Sequence, residues 1–390
     1  MPAPAVTLDT YRRQFDLPEG LAYLDHAATG VLSRPVHDAA ADFLAGRAAR
    51  LADRSPNNFP VDLERVERVR ARAAALVGAD VRHVDVQPNT STAINLVARG
   101  LDWQPGDRIA VASCEFPTNL LPWRALGPEG VEVDGIAHRD GTFTADDVAA
   151  ALQPRTRVVA VSWVQFLSGF RCDLAAIADV CRAHDVLLVV DAIQGVGALQ
   201  LDAAGLGIDV VATGSHKWLG GMQGTGFVVV AERLLHRLRP LRGWLNGPVD
   251  WDDFEGSGDA LHDDATRFRV GTLPMAQLYA LDAALGGFLA VGTDVIEAAV
   301  LAHAARLAEG LDALGYRRYG SADPAHASGI VTVEAPEPEA LHTHLAARGV
   351  QCSVRSRKLR LAPHAQTRPA DLDRALDAVA SFGRLAVPSA

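Results

Sequence analysis

The chain has 390 residues, 49% of them hydrophobic and 22% charged, a balance that excludes disorder and points to a globular protein with more than one core. Its formal net charge of −10 speaks against a nucleic-acid surface, because no basic stripe could dominate the field. No apolar run spans a bilayer, the N-terminus lacks the pattern of a signal peptide, and four scattered cysteines make neither a CxxC pair nor a disulfide framework. A cytoplasmic location is expected, with no membrane and no nucleic-acid partner.

From about residue 64 to residue 235, short apolar runs alternate with helical patterns. Residues 64–77 place Val66, Val69, Ala73 and Leu76 on one helical stripe. Ile94, Val97 and Leu101 mark a second helix, which Asn89-Thr-Ser-Thr92 would cap. Strand-like runs follow at 108–113, 158–166, 186–191 and 209–215, with a helix over roughly 175–184 and a further strand at 227–230. Near-continuous apolar strands separated by helices predict a mainly parallel sheet covered on both faces, with ligands at the strands' carboxyl ends. Residues 236–272 hold Pro, Gly, Trp and Asp without periodicity and read as a long excursion. Beyond it the pattern predicts a helix from Ile296 to Leu314, strands at 330–333, 350–355 and 358–362, a helix ending near Gly349, and a last helix carrying Leu372, Leu376 and Val379. The expected fold class is α/β. A large domain covers 22–270, and a small α+β domain is built from 1–21 and 271–390.

Only two of the 37 basic residues are lysines, Lys217 and Lys358. A lysine kept at 217 in an arginine-rich chain suggests work that arginine cannot do, because its amine can lose a proton and attack a carbonyl. Asp191 ends a buried-type strand, where an unpaired carboxylate is costly, so it should face a cation such as a protonated ring nitrogen; a turn role is the alternative. Asn89-Thr90-Ser91-Thr92 offers hydroxyls and free N–H groups at a helix start, which suits a phosphate or a plain N-cap. The glycines of 220–226 precede a strand rather than follow one, so their order is wrong for a dinucleotide fingerprint. They read as a close-approach turn beside the lysine. His342-Thr-His344 lacks a third metal ligand and reads as a solvated helix face; no metal is expected. An aldehyde-seeking lysine, a carboxylate for a pyridine nitrogen and a helix terminus for phosphate together specify pyridoxal 5′-phosphate.

With these residues in this order, the chain resembles the class V aminotransferase group of fold-type-I pyridoxal-phosphate enzymes. That group includes cysteine desulfurases, kynureninases and isopenicillin-N-epimerase-like proteins. The resemblance runs from Tyr23-Leu-Asp-His-Ala-Ala-Thr29 to Leu359-Arg-Leu-Ala-Pro363. It implies a Schiff base on Lys217 with His216 beside it, and Asp191 on the pyridine nitrogen. It further implies Gln194 on the ring hydroxyl, Phe116 stacked on the ring, and Thr90, Ser91 and Ser215 on the phosphate. Thr272 would reach the neighbouring subunit's phosphate site in a homodimer. Arg360 would grip the substrate carboxylate through paired hydrogen bonds, with His26 and Arg355 on the same side.

Two features depart from the desulfurase pattern. Phe116 stands where desulfurases carry a ring-stacking histidine, and phenylalanine cannot move protons. The run Gly349-Val-Gln-Cys-Ser-Val-Arg355 leads to Arg360 with no room for a cysteine-bearing loop, and Cys352 reads as a buried filler. The implied activity begins when Lys217 takes the α-proton of an L-α-amino acid. Transamination, β-elimination of the kynureninase or cysteine-derivative kind, and epimerisation share that beginning. The alternatives of another class are a catalytically silent binding protein and a dinucleotide-dependent oxidoreductase.

Overall fold

Valine-rich runs closed by turns form the strands that position the site. The computed structural model describes residues 6–52, 54, 59–253 and 258–385. A two-residue strand, β1 (Ala22–Tyr23), precedes the main sheet. That sheet holds β2 (Val84–Gln87), β3 (Arg108–Ala112), β4 (Glu132–Ile136), β5 (Thr156–Ser162), β6 (Leu187–Asp191), β7 (Val210–Gly214) and β8 (Gly226–Val230). Its order is β2-β8-β7-β6-β5-β3-β4, and β8 runs antiparallel to both of its neighbours.

The helices along this stretch are α1 (Leu8–Arg12), α2 (Arg34–Ala52), α3 (Phe59–Leu76), α4 (Thr90–Gly100), α5 (Leu121–Arg124), α6 (Ala145–Ala151), α7 (Leu174–Ala183) and α8 (Glu232–Leu235). Successive strand residues point to opposite faces. Val159, Val161, Leu188 and Val190 therefore share one core with α3 and α7. Val158, Ala160, Leu187 and Val189 share the other with α4. Both faces are covered, as the unbroken apolar strands predict.

After the excursion come α9 (Met275–Val291) and α10 (Thr293–Ala313), then β9 (Arg317–Arg318), β10 (Val331–Glu334), α11 (Pro338–Ala346), β11 (Val350–Gln351), β12 (Ser353–Arg355), β13 (Lys358–Leu361) and α12 (Pro369–Leu385). The second sheet has the order β12-β13-β10-β9, and β1 pairs in parallel with β11. The change of core falls later than residue 270. Leu278, Leu281, Leu285 and Phe288 of α9 are buried in the main-sheet core. On the same helix, buried Asp282 takes ion pairs from Arg65, Arg68 and Arg72 of α3 at 2.6, 2.9 and 2.6 Å. Helix α10 joins both cores, with Ile296 and Val300 in the first and Leu307 and Leu311 in the second.

Periodicity overlooks β2 because Asp85 interrupts it; that carboxylate is fully buried and paired with Arg269 at 2.6 Å. His342 and His344 are half-buried rather than solvated. His342 bonds the Cys352 carbonyl, and His344 bonds the Ala378 carbonyl and the Ser381 hydroxyl. Among the described residues no single helix is long and apolar enough to cross a membrane.

Candidate active site

The carboxyl ends of β2, β5, β6 and β7 meet the small domain around a cavity of about 480 Å³. Its walls include Thr90, Ser91, Phe116, Asp191, Gln194, His216, Lys217, Arg355 and Arg360, which the sequence scatters over 270 positions. Strand ends gather them because parallel neighbours finish at the same edge. Ser162, Asp191 and Ala212 are register partners across β5, β6 and β7, and Lys217 lies three residues past the end of β7.

The lysine's backbone is fixed by a close approach. Gly30 donates its N–H to the His216 carbonyl at 2.7 Å, and a Cβ at Gly30 would lie 2.0 Å from the Lys217 oxygen. Only glycine fits there. Burial lowers the Lys217 amine to about 8; Asp191 opposes that shift, while Arg360 and Arg355 add to it. Burial also pushes the Asp191 carboxyl up to about 6, against the Ile193 N–H donated at 3.0 Å and the charge of Lys217. His216 lines the cavity with its imidazole held below the ordinary range by burial and by Lys217. Two opposed, desolvated groups thus sit within reach of neutral pH.

The helix start at α4 divides its tasks. Asn89 does the capping: its Oδ1 accepts from the Thr92 N–H at 2.9 Å and the Thr92 hydroxyl at 3.1 Å. Thr90 and Ser91 are left facing the cavity, and the Thr90 Oγ1 is buried with no hydrogen-bond partner. First-turn N–H groups and an unpartnered buried hydroxyl are the donor set of an anion site. Gln194 is held from two sides, taking the Trp218 indole N–H at 2.8 Å and donating to the Ala27 carbonyl at 3.0 Å. Phe116 presents an open face, 44% exposed, and meets Phe166 edge-on at 5.3 Å.

Across the cavity, Arg360 is 2% exposed. It donates to the Phe166 carbonyl at 2.8 Å, lies 3.7 Å from Asp25, and keeps a buried Nε without a partner. Burial pushes it down to about 10, so it remains a cation at neutral pH. Arg355 is exposed, and its guanidinium donates to the carbonyl of Val354 beside it at 2.9 Å. A guanidinium with an unused donor suits a carboxylate. A flat ring bearing a phosphate fits between the Thr90–Ser91 cradle, the Phe116 face and Asp191.

Two expected residues, His26 and Ser215, stand elsewhere. His26 is 1% exposed and bonds the Ala362 carbonyl at 3.0 Å and Gln366 at 2.6 Å, so it clamps the C-terminal segment and is absent from the cavity wall. Its neighbours Ala27, Ala28 and Thr29 line the wall instead. Ser215 is fully buried, with its hydroxyl spent on Met222 and Thr225 inside the glycine-rich turn at 2.7 and 2.8 Å. A side chain on Gly214, not on Ser215, would reach the Thr90 hydroxyl. Thr272 is exposed, just before α9 and outside this chain's cavity. Sequence reasoning missed Thr118, whose hydroxyl meets that of Ser91 at 3.0 Å, and Ser162, a small polar residue closing an apolar strand.

The chain is similar in sequence and in fold to known proteins. The family model described as Aminotransferase class-V matches residues 22–356. A probable cysteine desulfurase of Methanothermobacter thermautotrophicus is 30% identical over 329 residues, 82% of this chain and 80% of that protein. The uncharacterized aminotransferase YcbU of Bacillus subtilis is 26% identical over 379 residues, 96% of this chain and 97% of that protein. The apo structure of a cysteine desulfurase from Thermococcus onnurineus superposes with a TM-score of 0.86 at 22% identity, covering 98% of this chain and 99% of that one.

Proposed function

Because this chain belongs to the class V aminotransferase family, pyridoxal-phosphate enzymes of fold type I, we propose that it acts on an L-α-amino acid, with Lys217 as tether and base. The observation that carries this reading is the pairing of a desolvated lysine, lowered to about 8, with Asp191 and Arg360 in one cavity. When bound, pyridoxal phosphate supplies an electron-accepting ring that stabilises negative charge at the substrate α-carbon.

The chain's own residues divide the remaining work. Thr90, Ser91 and the α4 terminus hold the phosphate. Asp191 keeps a proton on the pyridine nitrogen, Gln194 binds the ring hydroxyl, and Phe116 covers one face. Arg360 orients the substrate carboxylate, with Arg355 at the rim. Lys217, half-deprotonated near pH 8, takes the α-proton, and His216 sits beside it. Thr272 completes the partner's phosphate site in a cytoplasmic homodimer.

Desulfurase chemistry needs a mobile thiolate, and two observations speak against it. The β12–β13 connection is only the two residues Ser356 and Arg357. Burial raises all four thiols, with Cys114, Cys181 and Cys352 at about 12. Amino transfer to a 2-oxo acid, loss of a β-substituent and inversion at the α-carbon remain as outcomes of the same first step.

The test is spectroscopic and chemical. The purified protein should bind pyridoxal phosphate with a visible band that borohydride removes. Lys217→Ala should lack that band and lose at least about 10⁴-fold in turnover, the scale for removing an acting member of a catalytic unit. A wild-type protein that gains no band with added cofactor sinks the reading. A panel of cysteine, its sulfoxide derivatives, kynurenine, serine and alanine with 2-oxo acids, followed for pyruvate, ammonia, sulfide and new amino acids, separates the three outcomes. Persulfide on Cys352 would restore the desulfurase.

A further inference from the structure

Behind the ring wall lies a carboxylate that the mechanism above does not use. Glu115 is 8% exposed and sits in the turn that leaves β3, immediately before Phe116. Three donors converge on it from β5 and the residues after it. The Ser162 N–H reaches it at 2.6 Å, the Gln165 side-chain amide at 2.9 Å, and the Ser162 hydroxyl also bonds to it. A buried carboxylate with three donors is held in one place, and it holds its donors in turn.

Both ends of this network reach the cavity. Ser162 is a wall residue in register with Asp191. Gln165 precedes Phe166, whose ring meets Phe116 edge-on and whose carbonyl accepts from Arg360. On the other side, the turn that carries Glu115 also carries Phe116 and Thr118 into the cavity. Burial pushes the Glu115 carboxyl up to about 7, with its hydrogen bonds opposing and Asp191 adding to the rise.

We propose that Glu115 is a positioning residue: by tying the 114–118 turn to Ser162 and Gln165, it sets where Phe116 stands against the cofactor ring. This rests on the reading that the ring lies on Phe116. Glutamine at 115 keeps an oxygen for the Ser162 N–H and for Gln165, and its amide can donate to the Ser162 hydroxyl. Alanine keeps nothing. The two substitutions therefore separate position from charge.

The experiment measures pyridoxal-phosphate affinity of the full-length apoprotein by tryptophan-fluorescence titration, and circular dichroism of the bound cofactor band. Glu115→Ala should weaken binding about tenfold, the scale of one charge-assisted hydrogen-bond contribution, and change the dichroic band. Glu115→Gln should stay within about threefold of wild type with the band unchanged. In a Phe116→Ala background, Glu115→Ala should add nothing further, because positioning acts through that ring. Equal losses in the Gln and Ala variants would overturn the proposal in favour of a charge effect. Additive losses in the Phe116→Ala background would overturn it in favour of general destabilisation. A wild-type protein that binds no cofactor at all removes the underlying reading instead, which the titration shows before any variant is made.

Discussion

The two walls of the cavity treat charge in opposite ways. On the sheet side, burial draws Asp191 up to about 6 and Lys217 down to about 8, so each can change protonation near neutral pH. On the small-domain side, Arg360 is as deeply buried as Asp191 yet stays charged, pushed only to about 10. The same desolvation acts on both walls; the residue type decides the result. Lysine and aspartate become exchangeable, whereas a guanidinium has too high a starting value to be lost. One wall is suited to moving protons and the other to holding an anion.

Substitutions on the two walls should therefore fall on different parameters. The largest effect after the loss of Lys217 is expected for Asp191→Ala, with turnover down about 10²–10³-fold, the scale for removing one electrostatic stabiliser. Arg360→Met should instead raise KM by about 10–100-fold and leave the visible band intact, as for a lost charge-assisted hydrogen bond. Steady-state kinetics on both variants checks the division. If both changed the same parameter, the contrast between the walls would be wrong.

A pH measurement sharpens it. The rate at which apoprotein takes up pyridoxal phosphate covalently should rise with pH and level off above about 8, because only the neutral Lys217 amine attacks. Arg360 and Arg355 disfavour the protonated amine, so Arg360→Met should move this midpoint upward. A downward shift would contradict the geometry. The smallest effect is expected at Ser215. Its hydroxyl is spent inside the turn, so Ser215→Ala should alter cofactor affinity less than about threefold, against about tenfold for Thr90→Ala, judged by titration.

Residue chemistry was the legible part of this sequence. The rarity of lysine, a carboxylate ending an apolar strand and polar residues at a helix start identified what gathers at the sheet edge. Five of the seven main strands also read directly, because apolar runs at the sheet centre need no tertiary information. What failed depended on contacts from afar. Strand β2 carries Asp85, tolerated because Arg269 reaches it from 184 residues away and Arg70 of α3 lies 3.8 Å from it. Edge strand β4 has a mixed pattern, with Ile136 buried and Glu132 exposed. His26 and Ser215 have the right chemistry at nearly the right place, but their side chains point into the packing behind the wall. One residue's difference in a chain decides which face a side chain takes. The core boundary was misplaced for a related reason: α9 is apolar on most of its surface, so its sequence does not say which core it joins.

The turn at Ser356 and Arg357 has a consequence for how this scaffold could change. Both residues have positive φ, 46° and 58°, and they join strands that deliver Arg355 to the cavity rim and Arg360 to its wall. Lengthening a surface connection costs little, about 0.6 kcal/mol per doubling of loop length. A segment grafted between these two positions would overhang the opening while the paired strands on either side kept their register. The hairpin is thus a point at which this architecture could be extended. Extending it would supply a new reactive group from outside and leave Lys217, Asp191 and Arg360 undisturbed.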